Sequence, residues 1–263
     1  MKLARRAALA ALVTLTLSAC QTTGGGQPPA APTIPGFAPL TGHVAGQGRD
    51  ELIVLVHGDV SRGGAADYMY PHADRIAAAR PGATVVAVLR PGYYDKADRR
   101  SPGSNNNRRD HYTAVNNALL AETIGNLKAA IKPARTYVLG HSGGAAQLGS
   151  VIGQHPGLAD GAILLACPCD IGAWRASKGR RAWTNSQSPS DYVSGVAPTT
   201  QVVLMTGAND DNTKPFLARD HANALRARGV PVTLEIVPDA GHNAVRTFMR
   251  RAMEHFDRFA RST

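Results

Sequence analysis

Residues 136–146, TYVLGHSGGAA, constrain this chain more than any other stretch. A short β-prone run, Thr136–Leu139, leads into Gly140-His141-Ser142-Gly143-Gly144, and small helix-compatible residues follow. This is G-x-S-x-G between a strand and a helix, the context in which a sharp turn lifts a serine hydroxyl out of a sheet. Glycines at 140 and 144 let the strand and helix backbones approach with no Cβ between them. The serine then stands at a helix N-terminus, where free N–H groups and the positive dipole end favour a nearby oxyanion.

The rest of the chain supplies a frame for that turn. Glu51–Val56, Thr84–Leu89, Gly161–Ala166, Thr200–Met205 and Val232–Val237 are short apolar-rich runs, as expected of strands covered on both faces. Helical patterns over Ala65–Arg80, Tyr112–Ile131, Lys214–Arg228 and Ala244–Arg258 alternate with them. That alternation predicts an α/β fold, a doubly wound, mostly parallel sheet with helices on both faces. At 263 residues and 43% hydrophobic content, the chain can build one such domain, expected over 46–263. The polar stretch Asp95–Asp110, with Arg99, Arg100, Arg108 and Arg109, reads as a solvated surface loop beside His111 and Tyr112. Residues 168–198, holding Trp174 and Trp183, break the alternation. An irregular stretch of that length inside a domain usually serves a site, and here it is expected to wall or cap the pocket.

A neutral serine needs a base to take its proton. His242 follows the 232–237 strand on the loop before the last helix and is the candidate. The histidine needs a carboxylate to fix its tautomer. Asp210 follows the 200–205 strand and is assigned that role, with Asp211 beside it and Asp170 after the preceding strand as open alternatives. All lie at strand C-terminal ends, the edge where open α/β sheets bind ligands. The N–H of Gly143, next after the serine, is one expected oxyanion donor. The second is assigned to the N–H of Asp59, on the loop after the 51–56 strand, which His57 is expected to shape by packing. No metal or organic cofactor is implied. Cys167 and Cys169 are too closely spaced for an easy disulfide and read as two thiols. The formal charge of +10 comes from scattered residues and forms no nucleic-acid stripe.

His57-Gly58, Arg90-Pro91-Gly92-Tyr93, Gly140–Gly144, Gly207–Asp210 and Gly241-His242 stand in the order of the α/β-hydrolase superfamily, which the chain resembles over about residues 50–260. The resemblance implies a serine hydrolase that cleaves carboxylic esters of a small or acyl substrate through an acyl-enzyme. A peptidase or amidase of the same fold, and an inactive envelope-binding protein, are the alternatives. The chain departs from the hormone-sensitive-lipase-like esterases in lacking an HGGG run after its first strand.

Met1–Arg6 is basic and Ala7–Leu17 is apolar, but shorter than the roughly 20 residues that span a bilayer. It reads as a secretory signal. Leu17-Ser18-Ala19-Cys20 resembles the bacterial lipobox. That resemblance implies a signal peptide over 1–19, lipid on Cys20 and, from Gln21, an outer-membrane position facing the periplasm. Residues 20–45 are Gly/Pro-rich at their start and are expected to be a flexible tether.

Overall fold

A computed structural model describes residues 39–261. The expected signal peptide, Cys20 and most of the tether lie outside the described residues. The sheet has seven strands: β1 (Gly42–Ala45), β2 (Glu51–Val56), β3 (Ala83–Val88), β4 (Arg135–His141), β5 (Gly161–Leu165), β6 (Gln201–Gly207) and β7 (Val232–Val237). Their order is β1-β3-β2-β4-β5-β6-β7. β1 runs antiparallel to β3, and every other pair is parallel. The doubly wound, mostly parallel α/β architecture read from the sequence is therefore the fold.

The apolar runs form central strands because both faces are covered. Leu52 through Val56 have no exposed surface, and each such side chain contributes about 1.5–3 kcal/mol by burial. Helices α1 (Tyr70–Ala79) and α6 (Val245–Arg261) cover one face. Helices α2 (Ala114–Ile131), α3 (Gly143–Gln154) and α5 (Pro215–Ala227) cover the other. In α6, Phe248, Met249, Ala252, Phe256 and Phe259 form the buried stripe that a 3.6-residue period dictates. After β3 the chain crosses to β4 on the far side of β2. The C-terminal ends of β2 and β4 thus flank the point where strand order reverses, the usual place for a ligand crevice.

Four expectations are corrected. The tether was expected to run to residue 45, but Gly42–Ala45 is an edge strand paired with Val85–Val88. Helix α1 starts at Tyr70 rather than Ala65, because Gly63 and Gly64 hold φ of 91° and 92°, and Pro71 fits only the first helical turn. The 168–198 stretch contains a helix, α4 (Ile171–Ser177), and a 3-10 turn over Pro189–Gly195. Asp170 caps α4 by accepting from the Ala173 N–H at 2.8 Å, a local bond that no hydrophobic pattern announces. Finally, Cys167 and Cys169 form a disulfide. Ala166 turns through the left-handed region at φ 46°, and the cysteine Cα atoms lie 5.1 Å apart, within bridging range despite one intervening residue.

Candidate active site

Ser142 closes β4 and opens α3 at φ 53°, ψ −118°, a conformation that L residues rarely adopt. The turn holds because the backbones around it touch. A Cβ at Gly140 would stand 2.6 Å from the Ala145 nitrogen. The Ser142 N–H is tied to the Leu165 carbonyl on β5 at 2.8 Å. Strain at such a turn persists only because packing over-determines it.

His242 arrives on the loop between β7 and α6, with Nε2 3.0 Å from Ser142 Oγ. Its Nδ1 lies 2.9 Å from Asp210 Oδ2. Asp210 is seated by its own turn after β6. Oδ1 accepts the N–H groups of Asn212 at 2.9 Å and Thr213 at 2.7 Å, and the Thr213 hydroxyl donates to Oδ2 at 2.7 Å. Burial pushes the Asp210 carboxyl up, but the bonds from His242 and Thr213 outweigh it and leave the group below its ordinary range. The carboxylate is therefore ionised where it faces the imidazole, and a hydroxyl–imidazole–carboxylate line of this kind can move a serine proton. Asp211 is exposed, and Asp170 serves α4. Neither carboxylate meets His242.

The loop after β2 lies against this turn: a Cβ at Gly58 would stand 3.0 Å from Ser142 Cβ. Among the described residues, the amides of Asp59 and Gly143 donate to no protein group, so both are free for an incoming oxygen. His57 shapes the loop. Its Nδ1–H donates to its neighbour's carbonyl at Gly58, and Nε2 accepts the Arg90 N–H at 2.9 Å. Burial and the Arg90 charge hold this imidazole neutral, lowering it to about 3.

Several contacts escaped the sequence reading. The Tyr68 hydroxyl accepts the Gly58 N–H at 2.5 Å and reaches His141 Nδ1 at 2.8 Å. His141 Nε2 reaches the His242 carbonyl at 3.1 Å. The x residue of G-x-S-x-G thus joins the loop of the amide donors to the loop of the imidazole. Asn212 Nδ2 lies 3.1 Å from His242 Nε2. His111 and Tyr112, beside the stretch read as a solvated loop, are buried. With Arg90 they surround the Asp59 side chain: Arg90 Nη1 donates at 2.7 Å, Tyr112 Oη at 2.5 Å, and His111 Nε2 lies at 3.4 Å. Arg90 also grips Gln147 on α3. The only sequence signal for this cluster was Arg90 inside the Arg90–Tyr93 motif.

This buried pair yields a stability prediction. Burial alone raises the Asp59 carboxyl, yet Arg90, His111 and Tyr112 hold it far below its ordinary range. The Arg90 side chain is wholly buried and that of Asp59 only 11% exposed. Arg90→Gln strands an uncompensated carboxylate and is expected to cost about 3–5 kcal/mol in denaturant unfolding. Adding Asp59→Asn should recover part of that loss. A single variant as stable as the parent would contradict the account.

Among the described residues, no group of three or more His, Cys, Asp or Glu side chains converges to hold a metal. The fold is that of the α/β-hydrolase superfamily, and its serine turn, imidazole and carboxylate meet in the arrangement by which serine hydrolases activate a hydroxyl. The chain belongs to the prolyl oligopeptidase family, which matches residues 107–263, more than half of it. No curated protein matches. Among solved structures, a puromycin-hydrolyzing peptidase of Mycobacterium tuberculosis is similar at 15% identity and a TM-score of 0.55, over 74% of this chain and 32% of that one. The acylaminoacyl peptidase of Pyrococcus horikoshii is similar at 19% identity and 0.61, over 83% and 39%. Esterase PE8 is similar at 15% identity and 0.60, over 84% and 99%. This chain therefore spans about a third to two-fifths of the two peptidases and nearly all of the esterase.

Proposed function

We propose that this protein cleaves carboxylic esters through an acyl-enzyme, with Ser142 as nucleophile, His242 as proton shuttle and Asp210 as its orienting carboxylate. One observation carries the reading: a single imidazole stands 3.0 Å from the Ser142 hydroxyl and 2.9 Å from a buried carboxylate. Ser142 Oγ attacks the ester carbonyl as Nε2 takes its proton. The carbonyl oxygen becomes an oxyanion held by the Gly143 and Asp59 amides, an arrangement worth roughly 10²–10³-fold per donor. Nε2–H then protonates the departing alcohol. Water, deprotonated by the same nitrogen, releases the acid and restores Ser142. No cofactor enters the scheme.

Family membership favours a second reading, cleavage of a peptide or other amide bond. The ester reading draws support from the extent of the match to esterase PE8. A panel of p-nitrophenyl esters and aminoacyl p-nitroanilides, run on protein lacking residues 1–20, separates the two. The ester reading expects ester kcat/KM to exceed that of matched anilides beyond their difference in intrinsic reactivity. Efficient anilide turnover assigns the protein to peptidase chemistry.

Location belongs to the same proposal. The Leu17–Cys20 tetrapeptide and the Gly/Pro-rich residues after it fit lipid attachment at Cys20 in a bacterial envelope, with the enzyme facing the periplasm. More than one acyl chain is needed for a stable anchor, and the lipoprotein modification supplies it.

A further inference from the structure

The segment around α4 carries charge and aromatic surface that the scheme above does not use. Arg175, Lys178, Arg180 and Arg181 fall within seven residues, and no acidic residue lies between Ile171 and Asn185. None of the four forms an ion pair among the described residues. The nearby Asp110 carboxylate is occupied by the amides of Thr184, Asn185 and Ser186.

Two indoles hold one of these cations, Arg175. Trp174 and Trp183 pack edge to face at 5.2 Å. The Arg175 guanidinium lies over both rings, at 5.7 and 5.0 Å, with its Nε on the Arg181 carbonyl. Burial and the neighbouring Arg180 pull its pKa below the ordinary arginine range, outweighing the Asp110 carboxylate and Tyr112, which push it up. The wall touches the machinery at two ends. Trp183 packs on Tyr112 at 5.4 Å, and the Tyr112 hydroxyl donates to Asp59, whose Oδ1 would clash with a Cβ at Gly143. Trp174 Nε1 donates to the Asn212 carbonyl at 2.9 Å, and the Asn212 side chain meets His242. Lys178 Nζ donates to the Asp211 carbonyl on the same turn.

We propose that the Trp174–Trp183 segment reads a negative charge, and that the esters this site turns over best carry an anionic group remote from the scissile bond. The inference rests on the hydrolase reading above. A guanidinium fixed over aromatic faces is preorganised for carboxylate or phosphate, and flanking indoles lower the local dielectric so that its charge reaches further. The exposed Arg180 and Arg181 add a field that concentrates anionic substrate at the mouth.

The test compares the p-nitrophenyl half-ester of adipic acid with its methyl-capped neutral counterpart, and 4-carboxyphenyl acetate with its methyl ester. At low salt, at least one anionic member is expected to show about tenfold higher kcat/KM than its neutral partner. The preference should shrink in 0.5 M NaCl, where the screening length falls to about 4 Å. Arg180→Glu/Arg181→Glu, at two exposed positions, should cut the preference to about twofold or less, while neutral esters stay within about twofold of the parent. Equal or slower turnover of both anionic esters overturns the proposal, and so does a preference that survives the double reversal undiminished. If no ester is turned over and a fluorophosphonate probe also fails to label Ser142, the hydrolase reading itself falls and takes this one with it. Labelling without anionic preference removes only the charge-reading wall.

Discussion

Ser142→Ala is expected to lower kcat for p-nitrophenyl acetate by about 10⁶-fold and to abolish covalent labelling by a fluorophosphonate. The substitution removes only this hydroxyl. Its hydrogen bond is to His242, and the backbone of the turn is held by the Leu165 carbonyl and by close packing at Gly140, none of which involves Oγ. The fold should therefore survive, with unfolding close to the parent's. The oxyanion amides remain, so a residue of roughly 10³–10⁴-fold over water should persist. Labelling that continues in the alanine variant would mean another nucleophile, and the proposed mechanism would not stand.

The second large effect is expected at Asp210→Asn, about 10⁴-fold in kcat with the fold intact. The local hydrogen bonds explain why so conservative a change should matter. Two backbone amides, of Asn212 and Thr213, donate to Oδ1. An asparagine there must keep its oxygen at that position, because its NH₂ would face two donors. The NH₂ is then forced toward His242 Nδ1, which must accept rather than donate. That tautomer carries its proton on Nε2, facing Ser142, and can take no proton from it. The same substitution at Asp211, which is exposed and makes no bond to the imidazole, should leave kcat within about twofold. At Asp170 it should act through the cap of α4, at about 1 kcal/mol of stability or less. Steady-state kinetics on the three variants decides the assignment. A fully active Asp210→Asn would remove the carboxylate from the scheme.

These contrasts mark how far the sequence carries. Continuous apolar strands separated by helical periods can fold only with both sheet faces covered, so the α/β class was legible. The Ser142 turn was legible because its glycines are steric necessities written into local sequence. Strand ends near 142, 210 and 242 followed from the same pattern, since consecutive parallel strands put their C-termini on one edge. Where the sequence misled, a local backbone conformation or a distant partner decided. The Cys167–Cys169 bridge depends on the left-handed Ala166, and the edge strand Gly42–Ala45 depends on β3, about 40 residues downstream.

Side-chain neighbours across the crevice lay beyond any sequence pattern. Asp210 and Asp211 are adjacent in the chain and identical in type, and only the turn that aims one at the imidazole separates them. Arg90, Asp59, His111 and Tyr112 come from three segments, and their shared burial exists only once β2 and β3 pair. Local sequence sets dihedral preference and periodicity, which act over a few residues, and so it determined the architecture and the serine turn. Ion pairing and hydrogen bonding act through space, and so tertiary structure alone decided which carboxylate faces His242 and which guanidinium lies over the Trp174–Trp183 pair.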